Sequence, residues 1–165
     1  MSKRGKIREK SHRLPRAHYQ GLITVAFTLC IKGRVHCFIN DAVVSHAISL
    51  LADVLKQQKA RAVVYCFMPD HVHLIIEGRE AVSDLWQAVV DFKQLMGFWF
   101  SKNLPNVKWQ KDFYDHIFMR DEDLGTRIRY ILDNPVRWGM VKDWRQYPYK
   151  GAIGYNLNKT LIQVK

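Results

Sequence analysis

The stretch MPDHVHLII, Met68 to Ile76, sets two histidines, His71 and His73, on either side of one valine inside an apolar run. In an extended chain successive side chains alternate faces, so the two imidazoles point the same way and can converge on one cation. The same spacing also suits a surface pair or a histidine satisfied within a core. A second constellation lies in YILDNPVRWGMV, Tyr130 to Val141, where Tyr130 and Asn134 stand four residues apart and therefore one turn apart on one side of a helix. A phenolic hydroxyl, a potential nucleophile, and an amide oxygen, a potential metal ligand, would project together there. The plainer alternative is a ring used for packing and an asparagine satisfying the helix end before Pro135. A third cluster, FYDHI, puts Tyr114 two residues before His116 and offers a rival phenol–imidazole pair on one face of a strand.

The 165 residues suffice for one domain with a sizeable core, and the hydrophobic fraction of 48% is too high for a disordered chain. With 26 Lys+Arg against 15 Asp+Glu the net charge is +11 and the pI about 9.7, which favours a polyanionic partner, nucleic acid first. No run approaches the roughly 18 apolar residues of a membrane span. The N-terminus does not read as a signal peptide, so a cytoplasmic protein is expected. Cys30, Cys37 and Cys66 form no CxxC pair and read as reduced core residues, not as a disulfide framework or a zinc knuckle.

The groups that bear chemistry need elements to position them. Residues 1–16 form a basic, apolar-poor arm, read as a flexible grip on phosphates. Residues 17–150 form the folded domain, and 151–165 a C-terminal tail. A strand is expected over Tyr19 to Ile31, turning at Lys32-Gly33 into a short return through Val35 to Phe38. Asp41 caps a helix whose buried face carries Val44, Ala47, Ile48, Leu51, Val54 and Leu55, with His46 solvated. Strands follow at Ala62 to Met68 and His71 to Glu77 around Pro69-Asp70. A second helix runs from Ser83 to about Asn103, with Leu85, Val89, Phe92, Leu95, Met96 and Trp99 inward. A fourth strand covers Phe113 to Arg120, and Asp121 caps a third helix that ends at Pro135. The rest, through Trp144 and Tyr147 to Tyr149, reads as irregular. The order βαββαβ followed by a helix predicts an α+β, ferredoxin-like antiparallel sheet with helices packed on it, and a further C-terminal helix bearing Tyr130.

MPDHVHLII, then WQKDFYDHIF and YILDNPVRWGMV, in this order and spacing, resemble the single-tyrosine HUH transposases of the IS200-like type, and most closely the REP-associated tyrosine transposases. The resemblance spans Tyr19 to Tyr149. It implies that His71, His73 and Asn134 bind a divalent metal, Mn²⁺ or Mg²⁺, and that Tyr130 is the nucleophile. Insertion-sequence relatives carry Gln where this chain has Asn134, and many members have Asn where this chain has Asp70. The substrate implied is single-stranded DNA with a hairpin, REP-like and palindromic. No small-molecule substrate or membrane partner is implied, a monomer is favoured over a dimer, and the place of action is the bacterial nucleoid. The backbone and unpaired bases would be gripped by a group drawn from Arg13, Arg16, Lys93, Lys102, Lys108, Lys111, Arg127, Arg129, Arg137, Trp138 and Lys142.

Cutting a phosphodiester without losing its energy calls for a covalent intermediate, which a phenolic oxygen can form and a DNA 3′-hydroxyl can later displace. A free phenol with pKa about 10 is ionised roughly one part in a thousand at neutral pH, so a cation that polarises the phosphate is valuable. Two other functions fit the same residues. One is a DNA-binding protein that sits at palindromic elements without cutting; the other is a metal-dependent nuclease that activates water and leaves no protein on the DNA.

Overall fold

The computed structural model describes residues 13–163, so most of the expected basic arm lies outside the described residues. Five antiparallel strands form one sheet in the order β4-β1-β3-β2-β5, with β1 at Thr24–Cys30, β2 at Ala60–Met68, β3 at His71–Gly78, β4 at Tyr114–Ile117 and β5 at Lys150–Ile153. The first four reproduce the split βαβ arrangement of a ferredoxin-like fold. Helices α1 (Asp41–Gln57) and α2 (Leu85–Asn103) connect them, and α3 (Leu124–Leu132), the single turn α4 (Asn134–Arg137) and α5 (Leu157–Gln163) follow.

Each face of the sheet has its own core. Val72, Leu74 and Ile76 of β3 join Val25, Phe27 and Leu29 of β1 and Phe67 of β2 beneath α1 and α2. On the opposite face, Ala26, Cys66, Met68 and Ile75 pack with Ile128, Ile131 and Leu132 of α3. Because β2 is covered on both faces it reads as a nearly unbroken apolar run, and a register shift between Ala62 and Val64 turns Val63 and Val64 to the same side. Central β3 pairs along its length with β1 and β2, and Pro69-Asp70 make the two-residue turn between Met68 and His71.

Several expectations are corrected by where the backbone hydrogen bonds go. The first strand is shorter than expected because Tyr19 lies in a 3-10 turn, Arg16–Tyr19, and Gly21 has φ +94°. The return over Val35 to Phe38 is not a strand, since the amides of Cys37 and Phe38 both donate to the carbonyl of Pro69. The helix caps are Asn40, Asp84 and Asp123, whose side chains accept from Val43, Gln87 and Thr126, in place of Asp41, Ser83 and Asp121. Ser83 instead ties a buried turn, donating to the Lys59 carbonyl and accepting from the amides of Arg79 and Glu80. On α2 Phe100 takes the buried place expected of Leu95, which is exposed, and Trp99 is partly buried with His46 stacked on it. The segment expected to be irregular supplies β5, which covers the outer edge of β2, and Tyr147, whose hydroxyl donates to the Phe67 carbonyl.

Gly78 closes β3 where the chain passes Gly21, and a β-carbon there would stand 1.9 Å from the Gly21 carbonyl oxygen. Backbone must then move on both sides. Gly78→Ala is expected to lower stability by roughly 2–3 kcal/mol in urea unfolding, and a loss below about 0.5 kcal/mol would contradict this packing.

Candidate active site

The register of β3 decides what surrounds the histidines. His73 lies opposite Thr28 of β1 and Cys66 of β2, and His71 opposite Cys30 and Met68, so both imidazoles stand on the face that α3 covers. Their Nε2 atoms are 3.1 Å apart. Each Nδ1 is already engaged: His71 Nδ1–H donates to Asp70 Oδ1 at 2.6 Å, and His73 Nδ1 meets Thr28 Oγ1 at 3.1 Å. Asp70 is buried and held in turn by Arg34, whose Nε lies 3.1 Å from Oδ2. Arg34 reaches it from a left-handed backbone position, φ +57°, directly after Gly33 at φ +70°.

Burial keeps both rings neutral. It pushes the His71 pKa below the ordinary histidine value against the upward pull of Asp70. His73 is pushed lower still, first by burial, then by its coupling to the neighbouring His71, and then by the positive charges of Arg137, Arg127 and Arg34. With each Nδ1 tied to an oxygen, the Nε2 atoms are the ring nitrogens left to face a metal, and neutral imidazole is the form that binds one.

Tyr130 and Asn134 come from the junction of α3 and α4. Pro135 lacks an amide to continue the helical ladder, but Asp133 keeps helical angles and Arg137 N donates to Asp133 O. The chain therefore turns on past Pro135, where the sequence predicts an end, until Gly139 at φ +71°. Tyr130 is about half exposed and lines, with His73 and Thr28, a cleft of about 1450 Å³. Trp138, just past α4, stands 5.6 Å from the His71 ring between centroids. Asn134 is buried; its Oδ1 accepts from Arg137 Nη2 at 2.9 Å, while its Nδ2 has no hydrogen-bond partner. A buried donor left unpaired costs about 1–3 kcal/mol.

The donor set fits a divalent ion. Two nitrogens about 2.1 Å from one cation lie roughly 3.0 Å apart at a right angle and roughly 3.4 Å apart at the tetrahedral angle, so the spacing of the pair matches that of two ligands of one ion. Among the described residues no cluster of three His, Cys, Asp or Glu side chains stands ready to hold a metal. The Asn134 amide is a donor of another type.

Residues 20–131 match the sequence model of the family described as "Transposase IS200 like". The chain belongs to that family. Among similar proteins, a Haemophilus influenzae chain provisionally assigned as a REP-associated tyrosine transposase is 26% identical over 134 residues, covering 74% of this chain and 76% of its own. The REP-associated tyrosine transposase of Escherichia coli K12 is 32% identical over 85 residues, half of this chain and 48% of its own. A REP-associated tyrosine transposase solved bound to a REP hairpin superposes with a TM-score of 0.70 at 22% identity, over 86% of this chain and 82% of that one, a likeness of fold.

Within this IS200-like transposase the residues expected to grip DNA separate by environment. Arg13, Lys108, Lys111 and Arg127 line the cleft. Arg137 and Trp138 adjoin the histidine–tyrosine site. Arg13 is also tied to the Phe113 carbonyl and lies over the Trp86 and Phe113 rings, while Arg16 bonds Gln87, so the described end of the arm is fastened to the domain. The Lys93 ammonium is engaged by the Gln110 and Lys111 carbonyls, and Lys102 sits over the Phe98 ring on the last turn of α2. Arg129 lies on α3 beside Tyr130, and Lys142 follows α4. Tyr114 lines the same cleft as Tyr130, and register places it opposite Thr28, in one cross-strand row with His73. Thr28 and Arg34 carry no signal in the sequence, because only the pairing of β1 with β3 and the turn after β1 bring them to the histidines. No helix among the described residues is long and apolar enough to cross a membrane.

Asp70 anchors both the His71 ring and Arg34 from a buried position. Asp70→Ala is expected to cost about 1–3 kcal/mol in urea unfolding by leaving those donors unpaired, and an unchanged midpoint would show that the turn does not depend on the carboxylate.

Proposed function

We propose that the protein is a metal-dependent endonuclease and strand transferase acting on single-stranded DNA beside a hairpin, REP-like in character, through a 5′-phosphotyrosine intermediate. The observation that carries this reading is the pair of Nε2 atoms 3.1 Å apart, one of them on His73, which lines the same cleft as Tyr130. Membership of a transposase family and a fold relative bound to a REP hairpin support the choice of DNA.

The residues divide the work. His71, His73 and Asn134 would hold a divalent ion, Mn²⁺ matching their nitrogen-rich set more closely than Mg²⁺. Such an ion, when bound, polarises a phosphate oxygen and offsets the charge that builds in the transition state. Asp70 and Thr28 fix the orientation of the two rings. The Tyr130 oxygen attacks phosphorus and its proton passes to water. The bond to the 3′ oxygen breaks and that oxygen takes a proton from water, giving a free 3′-hydroxyl and a 5′-phosphate ester on tyrosine. Attack of a 3′-hydroxyl on that ester rejoins the strand and returns the phenol. Lys108, Lys111 and Arg127 along the cleft suit the sugar–phosphate backbone, and the rings of Trp109, Phe113 and Tyr114 suit unpaired bases.

Incubating the protein with Mn²⁺ and a labelled hairpin carrying single-stranded flanks should give a covalent adduct that survives a denaturing gel. Tyr130→Phe is expected to abolish the adduct while hairpin affinity changes by less than about 1 kcal/mol, since one exposed hydroxyl is removed. An adduct persisting in that variant would move the nucleophile to Tyr114, and cleavage with no adduct would favour activated water. His71→Ala should reduce cleavage by at least roughly 100-fold with far less effect on binding, and equal losses would make the histidines structural.

A further inference from the structure

Arg137 stands where three features of the site meet. Its guanidinium lies 3.9 Å from the centroid of the Tyr130 ring, and its Nη2 donates both to the Tyr130 carbonyl, at 2.8 Å, and to Asn134 Oδ1, at 2.9 Å. The second bond fixes which way the Asn134 amide faces, because a guanidinium has only donors to offer and so demands the oxygen. The amide nitrogen is consequently committed to a buried position with no acceptor. Asn134 is thus held by Arg137 at the expense of its own second polar atom.

This hold conflicts with the use of Asn134 as a ligand. An oxygen that already accepts from a cationic guanidinium is a poorer donor to a metal, and a divalent ion beside it would face a fixed positive charge at close range. A phosphate resolves the conflict, since arginine binds phosphate through two parallel N–H bonds that an amide oxygen cannot match. The side chain bringing this charge lies over the Tyr130 ring, the ring that lines the cleft where a strand would be cut.

Resting on the metal reading of this site, we infer that Arg137 gates Asn134: in the DNA-free protein its guanidinium occupies the amide oxygen, and a backbone phosphate of the substrate draws it away and frees that oxygen for the metal. Metal affinity and DNA binding are then linked through one side chain, and by reciprocity each strengthens the other.

The test is Mn²⁺ binding, followed by loss of the free-ion electron paramagnetic resonance signal, in the full chain. Arg137→Met keeps an apolar stem and removes every donor, and Arg137→Lys keeps the charge but not the planar fork; circular dichroism confirms that each is folded. Without DNA, Arg137→Met should bind Mn²⁺ roughly tenfold more tightly than wild type, with Arg137→Lys between them. Adding a twelve-residue oligothymidylate, its own Mn²⁺ uptake subtracted, should tighten binding in wild type and do so much less in Arg137→Met. Equal affinities in wild type and Arg137→Met, in a site that His71→Ala plus His73→Ala abolishes, would overturn the gate and leave the metal site intact. Mn²⁺ uptake indifferent to both histidines would overturn the metal site and the gate with it.

Discussion

Two neutral imidazoles whose Nε2 atoms face one another at 3.1 Å in a buried site repel through their lone pairs unless a proton or a cation lies between them. Much of the fold serves to hold that contact. The rings share a face because β3 is extended and central, and a slip of one residue in its pairing would turn both toward α1 and α2. The tight Pro69-Asp70 turn pins that register at the end nearest His71, and its aspartate also fixes the ring. On the other side Thr28 fixes His73 from the neighbouring strand. With both Nδ1 atoms tied, neither ring can turn its Nε2 away without giving up a hydrogen bond.

The same face explains how the phenol arrives. A ferredoxin-like sheet carries its two crossover helices on one side, which leaves the histidine side for an element from outside the repeat. Ile128, Ile131 and Leu132 bury α3 there against Ala26, Cys66, Met68 and Ile75. That stripe turns Tyr130 outward to the cleft, and the helical turn carried past Pro135 keeps Asn134 one turn from it. Position in the core and availability for chemistry are two faces of one short helix.

The strand and helix order was legible in the sequence because most elements show a local signal: alternate positions in β1 and β3, three-and-four spacing in α1 and α2, and an unbroken apolar run in β2. What escaped were features that depend on partners far along the chain. Ser83 looks like a cap until Lys59 offers it a carbonyl, and Lys150 to Ile153 look irregular until the edge of β2 is there to pair with. The site divides in the same way. His71, His73, Tyr130 and Asn134 are visible as local spacings, whereas Thr28, Arg34 and the hold of Arg137 on Asn134 follow from register and turn geometry. A count of basic residues also overstates the surface open to DNA, since Arg13 and Lys93 already serve the protein's own carbonyls.

The central claim is that the histidine pair of this IS200-like transposase is a metal site built on β3. A crystal of the DNA-free protein grown with Mn²⁺ and measured at the manganese absorption edge tests it most directly. The account predicts one strong anomalous peak within about 2.3 Å of both Nε2 atoms, with Asp70 and Thr28 still bonded to the opposite ring nitrogens. A peak elsewhere, with the two rings still in direct contact, would contradict it.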